Sequence, residues 1–100
     1  MKPLSTITVS DEGRDAIDRM GFSHQMDGIY EIIGGYFSGI AEIEVDAYVE
    51  SDGDSGEPRI VMELATTLDR AAFRSAVTRF FQRLRDDGNR IHLYLSVVRR

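Results

Sequence analysis

Between Ile40 and Glu50 two kinds of side chain alternate without interruption. Ala41, Ile43, Val45, Ala47 and Val49 fall on one parity, and Glu42, Glu44, Asp46, Tyr48 and Glu50 on the other. A period of two places successive side chains on opposite faces of an extended backbone, whereas a helix would scatter the same carboxylates around its axis. The segment is therefore a strand with one apolar and one acidic face. A single strand cannot bury an apolar face, so the rest of the chain has to supply neighbouring strands and a covering layer.

Both are written immediately downstream. Ser51-Asp52-Gly53-Asp54-Ser55-Gly56-Glu57-Pro58 is a polar turn segment. The strand after it directs Ile60, Met62 and Leu64 inward and Arg59, Val61 and Glu63 outward, as the antiparallel partner in a hairpin. Thr66 and Thr67 then stand as candidate caps for a helix from Leu68 to about Asp87, with Asp69 in its first turn and Gly88 just past its end. At 100° per residue Phe73, Ala76, Val77, Phe80, Phe81 and Leu84 gather into one stripe, which is expected to cover the sheet. Arg70, Arg74 and Arg85 line one edge of the stripe and Arg79 and Arg83 the other. A last strand alternates Ile91, Leu93, Leu95 and Val97 with His92, Tyr94, Ser96 and Val98.

The first forty residues carry weaker signals. Ser5 to Val9 is a short β-prone run, and Ser10-Asp11-Glu12 reads as a capped helix start with acids in the first turn. That helix runs to Met20, with Gly21 placed to end it and Ala16, Ile17 and Met20 on its apolar side. From Ser23 to Ser38, Met26, Tyr30, Ile33 and Phe37 follow helical spacing, while Gly28, Gly34 and Gly35 oppose it at about 1 kcal/mol each relative to Ala. A hairpin turning at Gly34-Gly35 is the alternative, and the helix is the preferred reading. The order is β-α-(α)-β-β-α-β. The expected class is α+β: if the run at 5–9 joins the sheet, a ferredoxin-like or related sandwich with its helices on one face of a mostly antiparallel sheet and the acidic strand at an edge, and otherwise a three-stranded sheet with the N-terminal segment packed beside it or used for association.

Length and composition set the outer limits. One hundred residues with 42% apolar and 29% charged content suit a single domain, residues 1–100, with one modest core. No apolar run approaches the roughly 20 residues that span a bilayer, and no apolar leader is legible at the start, so membrane association is not expected and a cytoplasmic location is. The absence of cysteine excludes disulfides, thiolate metal sites and cysteine nucleophiles. A net charge of −5 argues against non-specific nucleic-acid binding, which depends on neutralising phosphates. The charge is unevenly spread. Residues 1–50 hold three basic side chains against ten acids and residues 51–100 nine against seven, so either the two halves attract each other or the C-terminal half presents a local basic face.

No constellation points to catalysis, and no cofactor is expected. The row Glu42, Glu44, Asp46, Tyr48 and Glu50 is first a solvated face that discourages aggregation and second a surface for a partner. Carboxylates two residues apart on a strand lie about 7 Å from each other, too far to share an ion without ligands from a neighbouring strand. Asp52, Asp54 and Glu57 resemble the beginning of a calcium loop but lack its third acidic position and its distal bidentate Glu. His24 and His92 are the only histidines, which rules out a three-histidine metal site within one chain. His92 and Tyr94, with Arg59 or Glu63 nearby, are candidates for a polar binding patch. Arg70 and Arg74, one turn apart, are candidates for holding an anion, against the ordinary role of arginines snorkelling over an apolar stripe.

Two resemblances add to this. Ile7-Thr8-Val9, a short helix, Gly21-Phe22-Ser23 and a second helix resemble the ribbon-helix-helix repressors found among antitoxins. That likeness implies a DNA-binding ribbon, although the ribbon here holds no basic side chain and residues 1–37 are net acidic. Tyr36-Phe37, the acidic strand, the Asp/Gly/Glu turn, Ile60 to Leu64, Thr67-Leu68-Asp69 and the helix through Phe80-Phe81 resemble a group of small, uncharacterised bacterial proteins of helix–hairpin–helix–strand layout. That second likeness implies a fold and no activity. The functional expectation is a non-enzymatic protein–protein interaction module, possible partner types being a second protein of a bacterial toxin–antitoxin or immunity pair or another copy of the chain. The alternatives are a self-associating domain that binds a small ligand and a small enzyme using His92 or the acidic row.

Overall fold

A computed structural model describes residues 6–49 and 58–100 of the chain. It is an α+β fold with a four-stranded sheet, β1 (Thr6–Val9), β2 (Ile40–Val49), β3 (Pro58–Thr66) and β4 (Leu95–Arg99). Three α-helices, α1 (Asp11–Met20), α2 (Met26–Tyr36) and α3 (Arg70–Asp86), connect the strands, and 3-10 segments at Ser23–Gln25 and Arg90–Leu93 precede α2 and β4.

The strands lie in the order β1-β2-β3-β4. β1 runs parallel to β2, β2 antiparallel to β3, and β3 parallel to β4. The sheet is therefore mixed rather than mostly antiparallel. Each helical crossover returns to the adjacent strand, whereas an antiparallel arrangement of this element order needs a strand between the two it joins. The acidic strand is consequently interior. Thr6 to Val9 pair with Glu42 to Val45 on one side of β2, and β3 occupies the other.

The core forms where the inward parity of each strand meets the helices. Ile43, Val45, Ile60, Met62, Leu64 and Leu95 pack against Ile17, Phe22, Met26, Ile29, Ile33, Phe37, Phe73, Ala76, Phe80, Leu84 and Ile91. Phe37 stands between α2 and α3, its ring 5.3 Å from that of Phe73 and 5.9 Å from that of Phe80. α1 packs over β2 and β3 and α3 against α2 and β4, so the apolar side of the acidic strand is held chiefly by α1 and not by the Phe-rich helix alone.

Several boundaries differ from the sequence reading. α3 begins at Arg70 rather than Leu68 because Asp69 is its cap, its carboxylate accepting the Ala72 amide at 2.8 Å. Thr66 instead ties down the preceding turn, donating to the Ser38 carbonyl and accepting the Leu68 amide. The last strand is shorter than expected, since Arg90–Leu93 winds into a 3-10 turn capped by Asn89. A register shift between Ile40 and Glu42 leaves Ala41 exposed instead of inward. The preferred helical reading of the Ser23–Ser38 stretch holds over Met26–Tyr36, and the N-terminal run, whose place the sequence leaves open, joins the sheet beside β2. Two glycines are dictated by geometry. Gly39 has φ of 64° and lies so close to Thr67 that a Cβ would overlap its hydroxyl, and Gly13 brings the first turn of α1 against β2, where a Cβ would meet the Val45 carbonyl oxygen at 3.0 Å.

Candidate functional site

All three helices lie on one side of the sheet, so among the described residues the outward parity of the strands forms an uncovered face. Register sets its layout. On β2, Glu44 stands opposite Glu63, Asp46 opposite Val61, and Tyr48 opposite Arg59. On β4, Ser96 neighbours Val61 and Val98 neighbours Glu63. Thr6 and Thr8 of β1 extend the row beside Glu42 and Glu44. Tyr48 and Val98 are 49% and 41% exposed, which makes them the large apolar surfaces on this face.

Glu44 opposite Glu63 is a like-charge cross-strand pair, which costs stability unless it is compensated. Arg100 supplies the compensation. Its backbone amide donates to the Leu64 carbonyl at 3.0 Å, next to Ala65, the residue that stands opposite Glu42. One guanidinium nitrogen then lies 3.0 Å from Glu42 Oε2 and the other 2.7 Å from Glu44 Oε1. The attraction between the two halves of the chain is realised in this clamp. The parity Ser96, Val98, Arg100 could have placed Arg100 on the outward face from sequence, although the expected strand stopped short of it.

Asp46 is engaged differently. Its Oδ1 accepts the Ser10 hydroxyl at 2.6 Å and the Ala47 amide at 2.8 Å, and these bonds, the Ser10 one foremost, hold its carboxyl below the usual carboxylate range. Glu44, Asp46, Ala47, Tyr48, Val61 and Glu63 together line a depression of about 320 Å³. Four carboxylates (Glu42, Glu44, Asp46, Glu63) against two guanidiniums (Arg59, Arg100) leave the described part of the face with two uncompensated negative charges. Among the described residues no three His, Asp or Glu side chains gather closely enough to hold a metal ion.

No protein-family model, curated protein or solved structure matches this chain.

The other sequence candidates are dispersed. Arg59 lies on the open face, where its Nε reaches Ser96 Oγ at 3.4 Å. Arg70 and Arg74 occupy the exposed first turns of α3, and among the described residues neither side chain meets an acid. His92 sits in the 3-10 turn and not on a strand, and Tyr94 packs its ring 6.1 Å from that of Phe22 on the helix side of the sheet. Arg59, Arg70, Arg74, His92 and Tyr94 therefore do not converge on one cavity. Glu50 and the calcium-like loop at Asp52, Asp54 and Glu57 fall outside the described residues. No helix among the described residues is long and apolar enough to cross a membrane.

Proposed function

We propose that this protein is a non-enzymatic protein–protein interaction module that receives a partner with a basic surface on the open face of its sheet. In biological terms it is the small member of a bacterial two-protein system of the antitoxin or immunity kind. The observation that supports this reading is the uncovered face itself, on which the acidic row Glu42, Glu44 and Asp46 leads along β2 to the exposed Tyr48 ring. Aromatic side chains in a depression are the usual anchors of interfaces, and surrounding charge sets encounter rate and partner choice. Glu42 and Glu44 already hold a guanidinium in the Arg100 clamp, so the same carboxylates suit an arginine or lysine of a partner.

The test is recovery of a stoichiometric partner from the native host with the wild-type chain, set against a variant carrying Tyr48→Asp and Glu63→Arg. Loss of the partner in that variant, with retention in Arg70→Glu/Arg74→Glu, supports the reading. Equal recovery by the face variant, or repeated failure of the wild type to retain any partner, rejects it.

A further inference from the structure

On the helix side of the sheet, Met20 at the end of α1, Phe22 in the turn that follows, Pro58 at the start of β3, Arg90 at the start of the last 3-10 turn and Tyr94 just after it line a cleft of about 400 Å³. Four of these residues offer apolar or aromatic surface, and the Phe22 and Tyr94 rings form a tilted wall at 43° to each other. The fifth is a lone guanidinium. Arg90 is exposed, and among the described residues its side chain has neither an ion-pair nor a hydrogen-bond partner. Arg14, Arg70, Arg74 and Arg79 are likewise unpaired among the described residues, but they line neither this cleft nor the depression on the open face.

The walls are fixed by main-chain bonds. The Phe22 amide donates to the Ile17 carbonyl at 3.0 Å, the Ile60 amide to the Tyr94 carbonyl at 2.8 Å, and the Tyr94 amide to the Ile91 carbonyl at 2.9 Å. Asn89 caps the 3-10 turn that carries Arg90. These bonds fix the backbone on which the lining side chains stand, and the volume of the cleft lies in the range of small-molecule sites. One planar guanidinium matches one carboxylate through two parallel hydrogen bonds, whereas a phosphate group calls for more donors than the cleft presents.

We propose that this cleft binds a small monocarboxylic acid with an aromatic body. Arg90 holds the carboxylate, and the ring lies against Met20, Phe22, Pro58 and Tyr94. The test is a titration of the isotope-labelled full chain with phenylacetate, with benzyl alcohol as the uncharged analogue and benzylamine as the cationic one, followed through the backbone amide resonances. Phenylacetate is expected to give saturable shifts centred on residues 20–22, 58–60 and 89–95. Benzyl alcohol is expected to bind at least ~10-fold more weakly, benzylamine not at all, and Arg90→Gln to lose phenylacetate by a similar factor. Arg90→Lys, which keeps the charge without the fork, is expected to fall between. Shifts that do not saturate or lie elsewhere, benzyl alcohol binding as well as phenylacetate, or Arg90→Gln binding like the wild type would each overturn the proposal. The comparison of the three probes uses the wild-type chain alone and so decides the matter whatever a variant does to folding.

Discussion

The Ser10 hydroxyl donates to Asp46 Oδ1 at 2.6 Å while its oxygen accepts the Gly13 amide at 2.9 Å. One side chain thereby caps α1 and fastens that cap to β2, and Gly13 lets the two backbones approach closely enough for both bonds to form. Ser10→Ala is expected to cost about 1 kcal/mol, the usual loss for an N-cap, measured as a lower urea midpoint at unchanged slope.

The same contact carries a pH dependence whose sign is fixed by the depressed Asp46 pKa. A carboxyl whose folded pKa lies below its unfolded value stabilises the protein fully above the unfolded pKa, 3.8 for an unperturbed Asp, and loses that contribution as pH falls through the folded one. Asp46→Asn is therefore expected to lower stability at neutral pH and to differ progressively less from the wild type below about pH 4. Paired urea melts at neutral and acid pH check this, and a gap that widens on acidification would contradict it.

Glycines inside helices divide into two classes with opposite expected effects. At Gly13 a Cβ would press on the Val45 carbonyl at 3.0 Å and the Asp46 Cα at 3.2 Å, so Gly13→Ala should destabilise although Ala is the better helix former. Gly28, Gly34 and Gly35 of α2 have open space where a Cβ would stand. Ala at each of these is expected to stabilise by about 0.5–1 kcal/mol, through helix propensity and a less flexible unfolded chain. Thermal melts of the four single variants separate the classes.

These contrasts mark what could and could not be read from the chain. Strand parity in Glu42–Tyr48 and Ile60–Leu64, the stripe from Phe73 to Leu84 and the terminators Gly21 and Gly88 are local patterns, and local patterns carry through to the fold. Strand order is a long-range property. Nothing in Thr6-Ile7-Thr8-Val9 says that it pairs in parallel with β2, so the position of the acidic strand as interior could not be anticipated. His92 alternates like a strand residue, yet the Asn89 cap and the Tyr94 amide bonding to Ile91 draw the segment into a 3-10 turn. The candidate surface followed from the alternation of β2. The bonds from Arg100 to Glu42 and Glu44 and from Ser10 to Asp46 did not, because each joins residues distant in sequence.

Phe80 is the largest of the fully buried side chains among the described residues. It is fully buried, with its ring 5.9 Å from Phe37 of the α2 end and 5.4 Å from its helix neighbour Phe81. Phe80→Ala is expected to cost about 3–5 kcal/mol, a large share of the roughly 5–15 kcal/mol that stabilises a domain of this size. Phe81, only partly buried at the edge of the same stripe, should cost clearly less on truncation. Equal losses from the two substitutions in chemical denaturation would show that the core boundary is drawn in the wrong place.

The Arg100 clamp makes a prediction about salt. Its guanidinium and both carboxylates are partly solvated, 38% exposed for Arg100 and 35% and 46% for Glu42 and Glu44, so Coulomb attraction here is strongly screened and the stabilisation small. What Arg100 removes is the repulsion between Glu44 and the facing Glu63. Arg100→Ala is therefore expected to lower the melting temperature measurably at low ionic strength and to match the wild type near ~1 M salt, where the screening length is about 3 Å. Adding Glu63→Gln to Arg100→Ala should restore part of the low-salt loss, because the like-charge pair is then gone. If Glu63→Gln restores nothing, the clamp acts through its own hydrogen bonds and not by neutralising the face.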